Sequence, residues 1–183
     1  MTSRSGRESE PLDLPYPPLA DDFIHLRQWA LADARALARA WKDPDIIDWC
    51  DVPASADEAA ASTWIAGDAR RRHARTSLDL VISPINGDAV MGEVGLSNFR
   101  ADGGAAMLGY WAHLTYRRQG VTARAVALLT EWATTTLDLE LIVARCHPAN
   151  GASHAVMRKA KYTLEGHDGE GHKLFTYRRS RFS

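Results

Sequence analysis

The chain has 183 residues, 45% of them hydrophobic and 25% charged, with a formal net charge of −1. That length and balance allow one domain with a sizeable core plus a tail, and the charge lacks the basic excess of a nucleic-acid-binding surface. No apolar run approaches the ~20 residues of a membrane span, and the charged N-terminus lacks the apolar stretch of a signal peptide. Cys50 and Cys146, the two cysteines, offer neither a disulfide framework nor metal-ligand spacing. A cytoplasmic protein with buried free thiols, no metal, no nucleic-acid partner and no membrane partner is expected.

Residues 1–20 are polar and then proline-rich, and read as a disordered or extended arm laid over the domain near Tyr16. Residues 21–183 are expected to form a single domain. Alternation over 23–27 predicts a first strand. Ala34, Leu37, Ala38 and Trp41 share one face of a helix over 32–41, which Asp43-Pro44-Asp45 stops. Ser55, with Glu58 three residues on, has the form of a capping box. It predicts a helix reaching Arg72 that buries Ala61, Trp64 and Ile65. The run Arg70-Arg71-Arg72-His73 complements the negative end of that helix dipole. Two β-rich segments, 78–83 and 90–97, flank Asn86-Gly87 and predict an antiparallel hairpin. A third strand, Ala105–Ala112, leads into a long helix whose apolar face is Val121, Ala125, Leu128, Leu129 and Trp132. A strand over 139–146, a short helix over 151–160 and strands near 162–165 and 173–178 follow.

The chemistry begins at the turn before the long helix, Arg117-Arg118-Gln119-Gly120. A helix start presents unpaired N–H groups and the positive end of the dipole, two arginines add charge, and Gly120 clears the approach to the backbone. Such an end suits an anion, and best a pyrophosphate. The run LGYWAHLTYRRQGVTARAVALLTEWA, from Leu108 to Ala133, resembles the acyl-CoA-binding motif of the GNAT superfamily of N-acyltransferases. More narrowly it resembles the RimJ/RimL-like branch, which includes acetyltransferases of ribosomal-protein N-termini. The pattern (Gln or Arg, two variable residues, Gly, one variable, Gly or Ala) falls on Arg117, Gly120 and Thr122, where threonine departs from it.

The resemblance spans about 23–178. It implies an α/β (α+β) fold with a mixed, mostly antiparallel sheet of about seven strands and about four helices. The strands before and after the long helix splay apart, and the pantetheine arm of the acyl-CoA lies between them. The implied co-substrate is acetyl-CoA or another acyl-CoA, with no metal. It would be held by Arg117, Arg118, Gln119, Gly120, Val121, Thr122 and Ala123, and by backbone N–H groups at Tyr110, Trp111 and Ala112. Asn150 and Ser153 match the family's Asn-x-x-Ser signature. They imply contacts to the pantetheine arm and a donor for the departing thiolate, although Asn150 and Ser153 could equally cap the short helix. Met157 stands where many family members place a tyrosine, and Lys161 where the family has a glycine in left-handed conformation.

Acyl transfer to an amine needs a base, donors for the tetrahedral oxyanion, and hydrogen bonding to the thiolate. The acid that this branch often carries before Gly-Tyr-Trp is Met107 here. The candidates for the base are Glu93, then His172, then Glu170, with His113 read as a surface or packing residue and a water chain as an alternative. The acceptor pocket is expected among Trp41, Trp49 and Asp48, with Trp49, Asp48 and Asp51 in a non-helical loop whose acidic rim suits a cationic amine; Trp29 and Trp64 read as core. The expected acceptor is a small-molecule amine or a protein N-terminal amine, with a homodimer kept open. A non-catalytic acyl-CoA sensor or partner-binding module is the alternative function.

Overall fold

The structure is a computed structural model that describes residues 11–180; the first ten residues of the expected arm lie outside this range. The chain runs β1 (Ile24–Gln28), α1 (Ala34–Ala40), α2 (Pro44–Trp49), α3 (Glu58–Ala66), α4 (Asp68–His73), β2 (Ser77–Pro84), β3 (Gly92–Ser97) and β4 (Ala105–Ala112). It continues through α5 (Val121–Thr135), β5 (Leu141–Cys146), α6 (Gly151–Lys159), β6 (Thr163–His167) and β7 (Lys173–Arg178). The strands form one seven-stranded sheet in the order β1-β2-β3-β4-β5-β7-β6. Every neighbouring pair is antiparallel except β4–β5, where α5 supplies the crossover that a parallel pair requires.

Register decides what each face of the sheet carries. Asp79 lies opposite Gly95 and Gly95 opposite Gly109, while Val81 lies opposite Glu93 and Glu93 opposite Trp111. Side chains alternate between faces, so all of these share one face. Val81 and Trp111 pack there with Trp29, Leu37, Trp41 and Ile65 under α1–α4. The other face carries Leu78, Leu80, Val94, Leu96 and Leu108 against Val121, Ala125, Val126 and Leu129 of α5. Leu128 and Trp132 are only half-buried, and line a second cavity with residues of the arm. The arm is fixed at Leu12, which is fully buried and exchanges hydrogen bonds with Arg72, whereas Tyr16 is 95% exposed.

Among the described residues six α-helices form where about four helices were expected. Asp43-Pro44-Asp45 does end one helix, but it also starts α2: Asp43 accepts from the Asp45 N–H, and Pro44 sits in the first turn. Asp48 and Trp49 therefore belong to a helix, not to the loop expected for them. The cap before α3 is Asp57, whose Oδ1 accepts from the Ala60 N–H at 2.8 Å; Ser55 donates to Asp57 instead. Gly67 separates α3 from α4, so the expected single helix is two. The basic run makes specific contacts: Arg71 pairs with Asp79, and Arg72 with Asp68. Lys161 does adopt the left-handed conformation, φ +66°, at a cost of about 1 kcal/mol. Among the described residues no helix is long and apolar enough to cross a membrane.

Candidate active site

Strands β4 and β5 pair only at Ala105–Leu141, Ala106–Ile142 and Met107–Val143, and then diverge. The opening between them is the mouth of a cavity of about 490 Å³. Residues 108–112 form one wall and 144–146 the other, with Thr122, Asn150 and Ser153 at the side of α5 and α6. Ile46, Trp49 and residues 50–53 close the far side. Because the opening interrupts the sheet itself, the cavity connects its two faces. Tyr110 and Ser153 reach it from the α5 side, and Glu93, Asp79, Gly95, Gly109 and Trp111 from the α1–α4 side.

At the start of α5, Gly120 has φ +81°, a left-handed conformation that glycine adopts without steric penalty. Arg124 is the first residue of α5 whose N–H finds a helical partner, donating to the Gly120 carbonyl at 3.1 Å. The amides of Val121, Thr122 and Ala123 have no such partner and remain available to an anion. The side chains behave differently from expectation. The Arg117 guanidinium donates to the Ala112 carbonyl at 3.0 Å, to Asp43 at 2.8 Å and to Asp45, so its charge is directed at α2. Gln119 donates to the Thr115 carbonyl at 2.8 Å. Arg118 is exposed and has no ion pair among the described residues. A cation that sequence reading missed stands here: a Cβ added at Gly120 would lie 3.1 Å from Lys159 Nζ of α6.

Around Ser153 the hydroxyl is not spent on capping. Asn150 is the cap, its Oδ1 accepting from the Ser153 N–H at 2.9 Å. Ser153 Oγ lies 2.6 Å from the Tyr110 hydroxyl and 3.1 Å from Cys146 Sγ. Burial pushes both the Tyr110 phenol and the Cys146 thiol above their ordinary pKa. The three groups therefore stay neutral and can hydrogen-bond a thiolate. Tyr110 was expected to act only through its backbone, and Cys146 only as a buried thiol. Met157, on the same helix, is fully buried in the core.

Glu93 lines the cavity on the other face. Its Oε2 is wholly buried without a hydrogen-bond partner. Burial, and then the nearby Asp79 carboxylate, push its pKa up to about 8, while the indoles of Trp111 and Trp29 and the Arg71 guanidinium act in the opposite direction. Asp79, which accepts from Ser77 and Arg71, is itself raised by burial. Trp41 and Trp49 line the cavity and Asp48 does not; Asp45 and Asp51 are the acidic residues of α2 and its exit that do. His172 and Glu170 are not brought to the wall either. Both contact Arg145, and the His172 ring packs 5.6 Å from His147, which stacks on Trp49 at 4.9 Å. His113 Nδ1 accepts from the Thr115 N–H, outside the cavity.

The chain is 24% identical over 150 residues to an uncharacterized N-acetyltransferase, p20, of Bacillus licheniformis, covering 81% of this chain and 83% of that protein. Among solved structures it resembles the ribosomal-protein-S5-alanine acetyltransferase of Vibrio fischeri, with a TM-score of 0.79, 18% identity, and 91% and 98% of the two chains covered. RimJ of Mycobacterium smegmatis, solved with a coenzyme A disulfide, gives a TM-score of 0.75 at 20% identity over 87% of this chain and 83% of RimJ. Residues 24–163 match the acetyltransferase (GNAT) domain, and with the splayed β4–β5 pair, the open amides of α5 and the cavity that joins them, the chain belongs to the GNAT acetyltransferase family.

Proposed function

We propose that the protein moves an acetyl group from acetyl-CoA directly to a primary amine, with both substrates in the cavity at once. One observation supports this most strongly: the cavity runs through the sheet at the β4–β5 opening, with Ser153 and Tyr110 on one face and Glu93 on the other. The diphosphate of the thioester sits on the amides of Val121, Thr122 and Ala123, and the pantetheine arm lies between β4 and β5 beside Asn150. The amine enters from the α1–α4 face.

The residues divide the chemistry by face. Glu93 accepts the proton that the amine must lose, and a carboxylate with a pKa near the working pH is a stronger base than an ordinary one. Backbone N–H groups of β4 beyond Met107, where the β5 partner has diverged, are available to the oxyanion. The nitrogen–carbon bond forms, the carbon–sulfur bond breaks, and the thiolate leaves onto the hydroxyls of Ser153 and Tyr110. A thiol pKa near 8.5 makes hydrogen bonding sufficient there. Met107 in place of the branch's usual acid is offset by Glu93 one strand away.

The acceptor class includes protein amines, N-terminal ones among them, in line with the Vibrio fischeri relative, which is named a ribosomal-protein-S5-alanine acetyltransferase, and small-molecule amines. The test is release of free thiol from acetyl-CoA over a panel of amines and N-terminal peptides. Ser153→Ala should lower kcat about tenfold or more while leaving coenzyme A affinity nearly unchanged. Unaltered turnover in that variant would remove Ser153 from the mechanism. Coenzyme binding with no thiol release from any acceptor would point instead to an acyl-CoA sensor.

A further inference from the structure

The motif arginine and the cation beside the helix start have different partners, and this divides their work. We propose that Lys159 of α6 is the cation that meets the coenzyme's diphosphate, and that Arg117 is a positioning residue for the acceptor wall. The proposal rests on the acetyl-CoA reading given above.

Three contacts occupy the Arg117 guanidinium. Its Nε donates to the Ala112 carbonyl at the end of β4, and its two terminal nitrogens reach Asp43 and Asp45. Asp43 is also the residue that caps α2. The arginine therefore ties the loop before α5 to the first turn of α2, and α2 carries Ile46 and Trp49 into the cavity wall. A guanidinium already satisfied by two carboxylates has little to offer a diphosphate, because a phosphate would have to displace partners of the same sign. Loss of Arg117 frees α2 and leaves the half-buried carboxylate of Asp43 without its counter-charge. The consequence falls on the acceptor side.

Lys159 stands in the opposite situation. Its ammonium lies over Gly120, beside the open amides of α5, and it has no ion pair among the described residues. Arg124 in the first turn of α5 is held by Asp21 and Asp22, so it is not the free cation at this helix start. An ammonium on a flexible stem acts as a point charge on phosphate and needs no fixed fork geometry. The basic last turn of α6, Arg158-Lys159, is thus more than a complement to its own dipole.

The experiment crosses two variants with two readouts, coenzyme A affinity by calorimetry and acceptor KM by thiol release. Lys159→Ala should weaken coenzyme A binding about tenfold, with recovery in Lys159→Arg, and leave acceptor KM within about twofold. Arg117→Ala should raise acceptor KM about fivefold or more and leave coenzyme A affinity within about twofold. Asp43→Asn keeps a capping oxygen but removes the charge, so it should reproduce the Arg117 effect from the other end of the bridge. If Arg117→Ala weakens coenzyme A binding while Asp43→Asn does not, Arg117 is a diphosphate ligand and the assignment is overturned. Unchanged coenzyme affinity in Lys159→Ala overturns the other half. Wild-type protein that binds no coenzyme A removes the acetyl-CoA reading and this assignment together.

Discussion

Glu93 is held in a state that an isolated carboxylate does not adopt. Its buried Oε2 has no partner, and burial with the neighbouring Asp79 carries its pKa from 4.5 to about 8. The titratable and charged groups facing it are Asp79 on β2, Arg71 on α4 and Cys50 after α2, whose own thiol is pushed up to about 11 by burial and by Glu93. The sign of the stability effect follows from proton counting. Between pH 4.5 and about 8 the folded chain holds a proton that the unfolded chain has lost, so stability falls as pH rises through that window. Glu93→Gln should therefore raise Tm by a few degrees at pH 8.5 and change it little at pH 4.5. A Tm difference that is the same at both pH values would show that Glu93 does not titrate in that window. The same variant should lose about a hundredfold in kcat/KM with an acceptor that is already neutral at pH 7. It should also lose an acidic limb near pH 8 that the wild type retains with that acceptor, since only the ionised carboxylate accepts a proton.

Among the elements, the interruption between β4 and β5 does the most to create the site, and the two glycines beside it shape the acceptor side. Gly95 and Gly109 face each other across β3 and β4. A Cβ at Gly95 would strike the Leu78 carbonyl and Asp79 Oδ1 at 2.9 Å, so that position is closed to other residues by its neighbours. A Cβ at Gly109 would meet nothing within 4 Å and would project into the cavity. Gly109→Leu should accordingly raise acceptor KM about tenfold with Tm within a degree or two of wild type, because it fills open space without displacing the core. A large loss of Tm with unchanged KM would place Gly109 in the packing instead. The strands, the long helix and the strand–turn–helix at Gly120 were all legible, since alternation, a 3.6-residue period and glycine chemistry are written over short stretches of chain. Helix α2 was not: six residues are too few for a period, and Asp43-Pro44 serves equally to end one helix and begin another. The same limit hid Tyr110 on Ser153, 43 positions apart, and Arg117 on Asp43, 74 apart. No local pattern records contacts that only the assembled sheet brings about.

Taken as a whole, the molecule is nearly neutral, yet its cavity is not evenly charged. Asp45, Asp51, Asp79 and Glu93 line it, and among the described residues its only arginines are Arg117 and Arg145. Arg117 is committed to Asp43 and Asp45, and Arg145 to Asp168 and Glu170. No lysine lines the cavity. Above about pH 8, where Glu93 is ionised, an acceptor bearing a carboxylate next to its amine would bring a second negative charge toward it and find no free cation to receive it. An amine without that carboxylate meets the unpartnered oxygen of Glu93 and the indoles of Trp41, Trp64 and Trp111, an aromatic lining that suits a cation. Amino-acid amides and N-terminal peptides should therefore be acetylated about tenfold or more faster than the matching free amino acids, compared as kcat/KM. Measured at about pH 8.5, where Glu93 is ionised, the contrast should narrow in Glu93→Gln, which removes the buried repelling charge; what remains comes from the exposed Asp45 and Asp51 and should fall in about 0.5 M salt, which screens exposed charges strongly. Equal rates for an amide and its free acid would mean that the acceptor's carboxylate finds a cation elsewhere and that the acidic wall does not select.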